Sequence, residues 1–336
     1  MRSAAFVGPG RIDLSDVAEP VVGPNDVLLD VEACGVCGSD VGSFLHGHYV
    51  EPGQVMGHEL SAVVRTVGSA VTGLDVGTRV AIRPMKTCGT CDACTSGRTN
   101  LCAASVGRSL GYGVAGGFAE AVLIRDAEVG LDLYPVPSDV GAHEVVWCEP
   151  LAVAVHAVRL AAIEPGASWP VLVVGAGSVG LCVAAAVRAL AGVPVVVVEP
   201  RGDRRAAAAS LGAEGIAPQD LAARGFLAAI ETSGRAAVVR STMDVLEPGG
   251  RLVLVGLGDE PVPTPDRGVT VTGSFAYTDD DFRTAVELVV SGRVRLGAFV
   301  THRFGLAETG EAIAASAADP HVVKAVVVPT RQRSDQ

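Results

Sequence analysis

Two patterns of apolar and polar residues follow one another along the chain, and the change lies near residue 149. In the first part, short runs rich in β-branched residues alternate with Gly and Pro turns, which predicts strands at 26–33, 60–67 and 79–82. We interpret this part as an irregular β domain. A strand-like run at 322–328 is expected to return the C-terminal tail to the same domain.

After residue 149, apolar strands alternate with helical segments. The strands are predicted at 168–174, 195–199, 227–231, 251–256 and 269–275, and the helices at 151–162, 179–191, 204–211, 236–246 and 280–290. This alternation is typical of a parallel, doubly wound sheet. We therefore predict an α/β protein with a Rossmann-type domain at 149–291 and a β domain formed by 1–148 and 292–336.

The longest apolar run, 171–198, is interrupted only by Arg188, and a membrane span is the alternative interpretation. Gly175, Gly177 and Gly180 instead break the run into a strand, a turn and a helix. The first residues lack the charged region and apolar stretch of a signal peptide, so we expect a cytoplasmic protein that is not bound to a membrane.

The 336-residue chain carries a formal net charge of −11. Nucleic acids and anionic lipid surfaces bind basic patches, so neither is an expected partner. A small-molecule substrate is the expected partner instead.

Four cysteines form a local cluster in the run CGTCDACTSGRTNLC, with the spacing C-x2-C-x2-C-x7-C. Thiolates bind zinc tightly, and four of them close a tetrahedron that leaves no open position. We predict a structural zinc ion on Cys88, Cys91, Cys94 and Cys102. The alternatives are a disulfide pair with spare thiols, or an iron–sulfur site.

The run VLVVGAGSVG combines a predicted strand, the pattern G-x-G-x-x-G and the start of a helix. Gly175 allows a tight turn, Gly177 lets the backbone approach a pyrophosphate, and Gly180 lets the helix pack on the strand. The helix begins near Ser178 and Val179, and its N-terminus would face the phosphates. Packing glycines with no ligand are the alternative.

An acidic residue, Glu199, ends the next predicted strand and could accept both ribose hydroxyls of an adenosine. This feature favours NAD. Arg201, Arg204 and Arg205 follow directly and could instead hold a 2′-phosphate, so NADP is not excluded.

A second, distributed set consists of Cys37, His58 and Glu149. Thiolate, imidazole and carboxylate suit a zinc ion with one position left for substrate. Glu59 could be a further ligand or a partner of the ligands. A buried structural thiol and a core histidine are the alternative interpretations of Cys37 and His58.

Together these residues resemble the zinc-containing medium-chain dehydrogenase/reductase family, and within it the branch of polyol, butanediol and threonine dehydrogenases. The resemblance covers nearly the whole chain and rests on motifs in family order: CGVCGSD, GHE, the four-cysteine run, GGFAE, EPLAVAVHA, GAGSVG, LEPGGRLVLVG and GSFAYTDDDF. It implies a GroES-like catalytic domain, a nicotinamide cofactor, two zinc ions and a homodimer or homotetramer.

The resemblance also implies roles for single residues. The catalytic zinc would lie on Cys37, His58 and Glu149, and Ser39 would hydrogen-bond the reacting hydroxyl. Arg204 would touch the adenosine ribose, and the backbone at Val255, Phe275 and Ala276 would hold the carboxamide. The activity implied is hydride transfer between NAD and a secondary alcohol: a polyol, sugar, aminocyclitol or short diol. An NADPH-dependent carbonyl reductase and a non-catalytic nucleotide-binding protein are the alternatives.

Two departures from the family pattern concern the substrate. Gly42 stands where the family often has a histidine that completes a proton relay, and His46, His48 or water could replace that histidine. Ala276 stands where sorbitol-type enzymes carry Arg. Both changes enlarge the predicted pocket, so we expect a cyclic or sugar-like alcohol rather than sorbitol.

Overall fold

The computed structural model describes residues 1–256, 258, 261–262 and 264–329. The chain divides into two compact units, Met1–Glu149 with Val289–Gln336, and Pro150–Leu288. The boundaries predicted from the sequence, 148/149 and 291/292, lie one and three residues away from the edges of these units.

The first unit contains β1 to β7, α1 to α3 and, after the second unit, β14, α9 and β15. Its strands are Arg2–Gly8, Arg11–Asp16, Val27–Gly35, Glu59–Val67, Arg79–Ile82, Ala121–Ile124, Leu133–Val136, Val300–Gly305 and Lys324–Val328. Its helices are Gly38–His46, Asp92–Thr95, Ala142–Val145 and Thr309–Ala318.

The second unit contains β8 to β13 and most of α4 to α8. Its strands are Val171–Val174, Val195–Val198, Glu214–Ile216, Phe226–Glu231, Leu246–Leu254 and Thr270–Gly273. Its helices are Cys148–Leu160, Ser178–Ala191, Gly202–Ser210, Ala236–Asp244 and Asp279–Val290.

The main sheet of the first unit follows the order β14-β15-β3-β4-β5-β7, with β6 beside β3. Strand β15 pairs antiparallel with β3, where Val326 faces Gly35 and Val327 faces Cys34. The expected return of the C-terminal tail is therefore confirmed. This pairing brings residues from both ends of the sequence to the same part of the sheet.

The sheet of the second unit has the order β10-β9-β8-β11-β12-β13, and all of its strand pairs are parallel. Every residue of β8 and β9 is buried, as expected for central strands covered on both faces. The predicted doubly wound parallel sheet is confirmed. Its strand order reverses beside β8, which places the glycine-rich turn after β8 at the usual nucleotide position.

Several elements differ from the prediction, among them strand β12 and helix α9. Strand β12 begins at Leu246, five residues before the predicted start, because the register shifts after the pair Phe226–Leu246 and resumes at Ala228–Arg251. The Pro and Gly residues in this shifted stretch are typical of a loop, so the sequence pattern did not predict a strand there. Helix α9 was not predicted, because its sequence TGEAIAASAA has little contrast between apolar and polar positions.

Among the described residues, α5 is the longest helix with 14 residues, and none of the helices is both long and apolar enough to cross a bilayer.

A buried carboxylate joins helices α4 and α8 within the second unit. Asp281, which is 1% exposed, accepts hydrogen bonds from the Thr278 backbone N–H at 2.8 Å and from Arg159 at 2.5 Å. It also lies 2.8 Å from His156 Nδ1. Burial raises the pKa of Asp281, but the bonds to His156 and Thr278 outweigh burial, and the pKa lies below its ordinary value.

We expect Asp281→Asn to lower the free energy of unfolding by about 2 kcal/mol at neutral pH. A depressed pKa contributes stability above the unfolded value of about 3.9 and loses it as pH falls through the folded value. Urea unfolding from about pH 2 to about pH 7 measures the free energy of unfolding of this variant. Asp280→Asn is the exposed control on the same helix. Equal stability of the two variants at every pH would contradict the assignment.

Candidate active site and nucleotide-binding loop

The four predicted zinc-binding cysteines are brought together in the first unit. The sulfur atoms of Cys88, Cys91, Cys94 and Cys102 lie within 4.8 Å of one another, and none of the eight cysteines of the chain forms a disulfide. Cys88 and Cys94 are 3.9 Å apart at Sγ, and Cys91 and Cys94 are 3.6 Å apart. A disulfide needs about 2.05 Å, whereas a tetrahedron with Zn–S bonds of about 2.3 Å separates its sulfurs by about 3.8 Å. The cluster therefore fits one zinc ion.

Backbone donors prepare this cluster for a cation. The N–H groups of Thr90 and Cys91 lower the pKa of Cys88 to about 5. Burial, with the neighbouring Cys91 thiol, raises the pKa of Cys94 to about 12. A divalent cation that binds here would displace the proton of the Cys94 thiol.

The second cluster lies where α1 and β4 begin. Cys37 directly precedes α1, and His58 and Glu59 stand at the start of β4. One ligand atom of each residue lies within 4.8 Å of the others. His58 and Glu59 are 5% and 1% exposed, so the donors are largely removed from solvent. Thiolate, imidazole and carboxylate together suit a zinc ion.

The imidazole of His58 supports this interpretation. Its Nδ1 is buried without a hydrogen-bond partner, and the nearest carboxylate oxygen recorded for it, Oδ1 of Asp40, is 3.8 Å away. Buried polar atoms normally have partners, so an orphaned donor or acceptor beside a thiol is typical of a ligand site. Asp40 also accepts a bond from the Cys37 backbone N–H at 2.9 Å, which ties the first turn of α1 to the cluster.

Asp40 was not among the site residues predicted from the sequence. Its position three residues after Cys37, inside the first helical turn, was the available signal. Burial raises the pKa of Asp40 above its ordinary value.

Glu59 is held by a lysine from the far end of the chain. Lys324 Nζ donates to Glu59 Oε2 at 2.5 Å, and both side chains are 1% exposed. The ammonium also lies 5.2 Å from the centroid of the Trp147 ring, which adds a cation–π contact. A Cβ at Gly35 would lie 2.1 Å from Glu59 Oε2, so only glycine leaves room for the carboxylate. Lys324 was missed, although a lone lysine in the apolar run KAVVV was a signal.

Glu149, the predicted third ligand, is buried in the first turn of α4 at 9% exposure. The group of ligand atoms within 4.8 Å consists of Cys37, His58 and Glu59 and does not include Glu149, as far as the described part of the chain goes. The role of Glu149 stays a prediction.

Ser39 stands two residues after Cys37, in the first turn of α1. Tyr112 Oη donates a hydrogen bond to Ser39 Oγ at 2.7 Å, and the Tyr112 ring centroid lies 5.3 Å from that of His58. Burial raises the pKa of Tyr112, so its hydroxyl stays protonated. Tyr112 was also missed, because nothing in the sequence places its loop beside α1.

In the second unit, the glycine-rich turn connects β8 to α5. Gly175 has a φ of 94°, which favours glycine, and a Cβ at Gly180 would lie 2.0 Å from the Gly175 carbonyl oxygen. A Cβ at Gly177 would meet only Arg204 Nη1, at 4.0 Å. The space beside Gly177 is thus open at the N-terminus of α5, where Ser178 and Val179 begin the helix.

Glu199 follows β9 and is 5% exposed. Its Oε2 accepts a hydrogen bond from the Ala176 backbone N–H at 2.9 Å, and its Oε1 accepts one from the Arg201 backbone N–H at 3.0 Å. The carboxylate therefore fixes the conformation of the glycine-rich turn, a contact that the sequence did not reveal.

The residues predicted to hold the carboxamide lie after β12 and β13. Val255 follows β12, where its N–H bonds to the Glu231 carbonyl oxygen at 2.8 Å. Phe275 is 59% exposed, and Ala276 has a φ of 49°, which is uncommon for a residue with a side chain. Their cofactor contacts stay predictions.

The sequence and the fold match known proteins. Family models match residues 23–137 as an alcohol dehydrogenase GroES-like domain and residues 178–291 as a zinc-binding dehydrogenase. The D-xylulose reductase of Saccharomyces cerevisiae is 31% identical over 330 residues, covering 90% of each chain. D-xylulose reductase A of Aspergillus oryzae is 34% identical over 302 residues, covering 82% of each.

Solved structures of dehydrogenases superpose on this fold as well. A protein from Sinorhizobium meliloti described as a zinc-binding dehydrogenase, with NADP bound, superposes with a TM-score of 0.89 at 30% identity over 98% of this chain and 99% of that one. The 2R,3R-butanediol dehydrogenase of Bacillus subtilis superposes with a TM-score of 0.86 at 26% identity, over 98% and 99%.

Proposed function

Because the chain belongs to the zinc-containing medium-chain dehydrogenase family, we propose that it transfers hydride between a secondary alcohol of a polyol or sugar and NAD. The observation that carries this proposal is the buried cluster of Cys37, His58 and Glu59 with Ser39 beside it. The protein is an NAD(P)-dependent zinc enzyme by family, and the substrate class and the residue roles are what we propose here.

We assign the two zinc ions to different tasks. Cys88, Cys91, Cys94 and Cys102 would hold a structural ion, since four thiolates leave no open position. Cys37 and His58 would hold the catalytic ion together with a carboxylate, either Glu59 or Glu149. A zinc ion held there would lower the pKa of a bound alcohol toward neutrality.

The side chains around this site then have defined tasks. Ser39 would exchange a proton with the substrate oxygen while hydride moves between the substrate carbon and the nicotinamide ring. Asp40 anchors the Cys37 backbone, and Lys324 holds the Glu59 carboxylate in its buried position. Because Asp40, Glu59 and Lys324 are buried, the metal-binding atoms are held in place before substrate binds.

The substrate class is tested with a panel of secondary alcohols and ketoses. The relatives named D-xylulose reductase favour a polyol or its ketose, and the absent Arg at position 276 and the space at Gly42 favour a cyclic or sugar-like alcohol over sorbitol. We expect NAD-dependent turnover of at least one polyol, sugar or cyclic alcohol, with sorbitol among the poor substrates. Reduced nicotinamide absorbance measures each rate, and Cys37→Ser is the control. Turnover of carbonyl compounds with NADPH alone would favour the reductase, and sorbitol as the best substrate would contradict the pocket argument.

We expect NAD to be preferred to NADP by at least about tenfold in kcat/KM. The Glu199 carboxylate is fixed by two backbone N–H groups, and a 2′-phosphate beside it would meet a like charge. Glu199→Gln should narrow the preference, while Glu214→Gln, an exposed control at the other end of the strand pair, should not. A tenfold advantage for NADP in the unmodified protein would show that Arg201, Arg204 or Arg205 decides the preference instead.

We propose a homodimer or homotetramer in the cytoplasm. Strand β13 stands at the end of the six-stranded sheet and offers an edge to a second copy. None of the eight cysteines forms a disulfide, which suits a compartment that keeps thiols reduced. Analytical ultracentrifugation measures the assembly, and a monomer at micromolar concentration would contradict it.

A further inference from the structure

The family relay position is vacant in this chain. Among the described residues, no atom outside the backbone of its own helix lies within 4 Å of a Cβ added at Gly42, so the space directly beside this position is open. His46 and His48 are exposed, and their rings lie against one another at 5.3 Å between centroids. The hydrogen bond that the structure records for Ser39 instead leads to Tyr112.

Tyr112 meets the geometric requirements of a proton carrier. Its hydroxyl is 2.7 Å from Ser39 Oγ, a normal length for a bond between two hydroxyls. Its ring lies beside His58, which fixes the orientation of the phenol. A hydroxyl can donate one bond and accept others, so Ser39 and Tyr112 can pass a proton in either direction.

We propose that Tyr112 is a positioning residue for Ser39 and the second member of the proton relay. When a ketone is reduced, hydride adds to the carbonyl carbon, the C=O π bond breaks, and Ser39 gives its proton to the substrate oxygen. Tyr112 then returns a proton to Ser39 and takes one from water, so both hydroxyls end neutral. Alcohol oxidation follows the same path in reverse.

This inference rests on the proposed dehydrogenase function, and its first test is the removal of a single oxygen atom. Tyr112→Phe keeps the ring against His58. We expect kcat to fall roughly 10- to 100-fold, with KM and zinc content nearly unchanged and a larger solvent deuterium isotope effect on kcat. Tyr134→Phe, the same change in β7 of the same unit, should match the unmodified enzyme.

A double-mutant cycle separates a relay from a merely structural role. If Tyr112 acts through Ser39, Ser39→Ala with Tyr112→Phe should be no slower than Ser39→Ala alone. Multiplying effects, or a Tyr112→Phe enzyme within twofold of the unmodified one, would overturn the inference. In both cases the unmodified enzyme still turns over, so the proposed function would stand.

A spectroscopic measurement tests the contact without any turnover. The chain has four tyrosines, so labelling the ring carbon that bears the oxygen gives four carbon resonances, and Tyr112→Phe identifies one of them. Ser39→Ala should shift that resonance, because its hydrogen-bond partner is lost, and should leave the Tyr134 resonance in place. An unshifted Tyr112 resonance would overturn the inference whether or not a substrate is known.

Discussion

Cys37→Ser is expected to lower turnover by roughly 10³-fold or more while the protein keeps its fold, because the lost thiolate belongs to the proposed catalytic zinc site. Cys37 is half-buried at the start of α1, and the substitution keeps the hydrogen bond from its backbone N–H to Asp40. Steady-state rates, zinc content and thermal melting are the measurements. Full activity in this variant would refute the proposed mechanism.

Cys88→Ser is the matched variant in the other zinc site. Its sulfur accepts hydrogen bonds from the backbone N–H of Cys91 and from the Thr90 hydroxyl, and it is one of the four sulfurs of the cysteine cluster. We expect a lower melting temperature and lower solubility, because loss of the metal frees the loop. Elemental analysis should give up to two zinc ions in the unmodified chain and about one in each variant. A folded Cys88→Ser protein with unchanged melting and full zinc content would contradict the structural role.

Lys324→Met is expected to lower the free energy of unfolding by about 3–5 kcal/mol, because it leaves the Glu59 carboxylate buried without its counter-charge. Methionine keeps most of the apolar length of the lysine, so packing against Trp147 is largely retained. Adding Glu59→Gln should restore a large part of the stability. Chemical unfolding of the three variants measures this, with Lys86→Met, a half-buried lysine, for comparison. A stable single variant, or a double variant that is no better, would contradict the buried ion pair.

The same variants show whether Glu59 contacts the metal. If a zinc ion lies on Glu59, loading the protein with zinc should reduce the cost of Lys324→Met, because the ion supplies the missing positive charge. If Glu149 is the carboxylate ligand, zinc should leave that cost unchanged. Glu149→Gln, measured for zinc content alone, is the companion experiment.

Local signals in the sequence were sufficient for the features that depend on neighbouring residues. The glycine spacing at Gly175, Gly177 and Gly180 predicts a turn whose geometry the backbone then adopts. The cysteine spacing predicts a cluster because all four ligands lie within one short run. Parallel strand order follows from the alternation of strands and helices.

Contacts between distant residues could not be read in this way. Tyr112 reaches Ser39 across 73 residues, and Lys324 reaches Glu59 across 265. Such pairs depend on sheet register, and register depends on packing of the whole unit. Glu59 was predicted as a further zinc ligand or a partner of the ligands, and the pairing of β15 with β3 brings its ion-pair partner Lys324 to it.

The placement of β15 beside β3 also has a consequence for synthesis. The second unit is one continuous segment, Pro150–Leu288, while the first unit is assembled from chain on both sides of it. On the ribosome the second unit can fold as soon as it emerges, whereas the first must wait for the last strand. Until residue 324 leaves the exit tunnel, the carboxylate of Glu59 lacks its ammonium partner. The cluster at Cys37 and His58 then lacks the strand that completes its surroundings. Zinc thus meets an incomplete candidate site until β15 has been synthesised and has paired with β3.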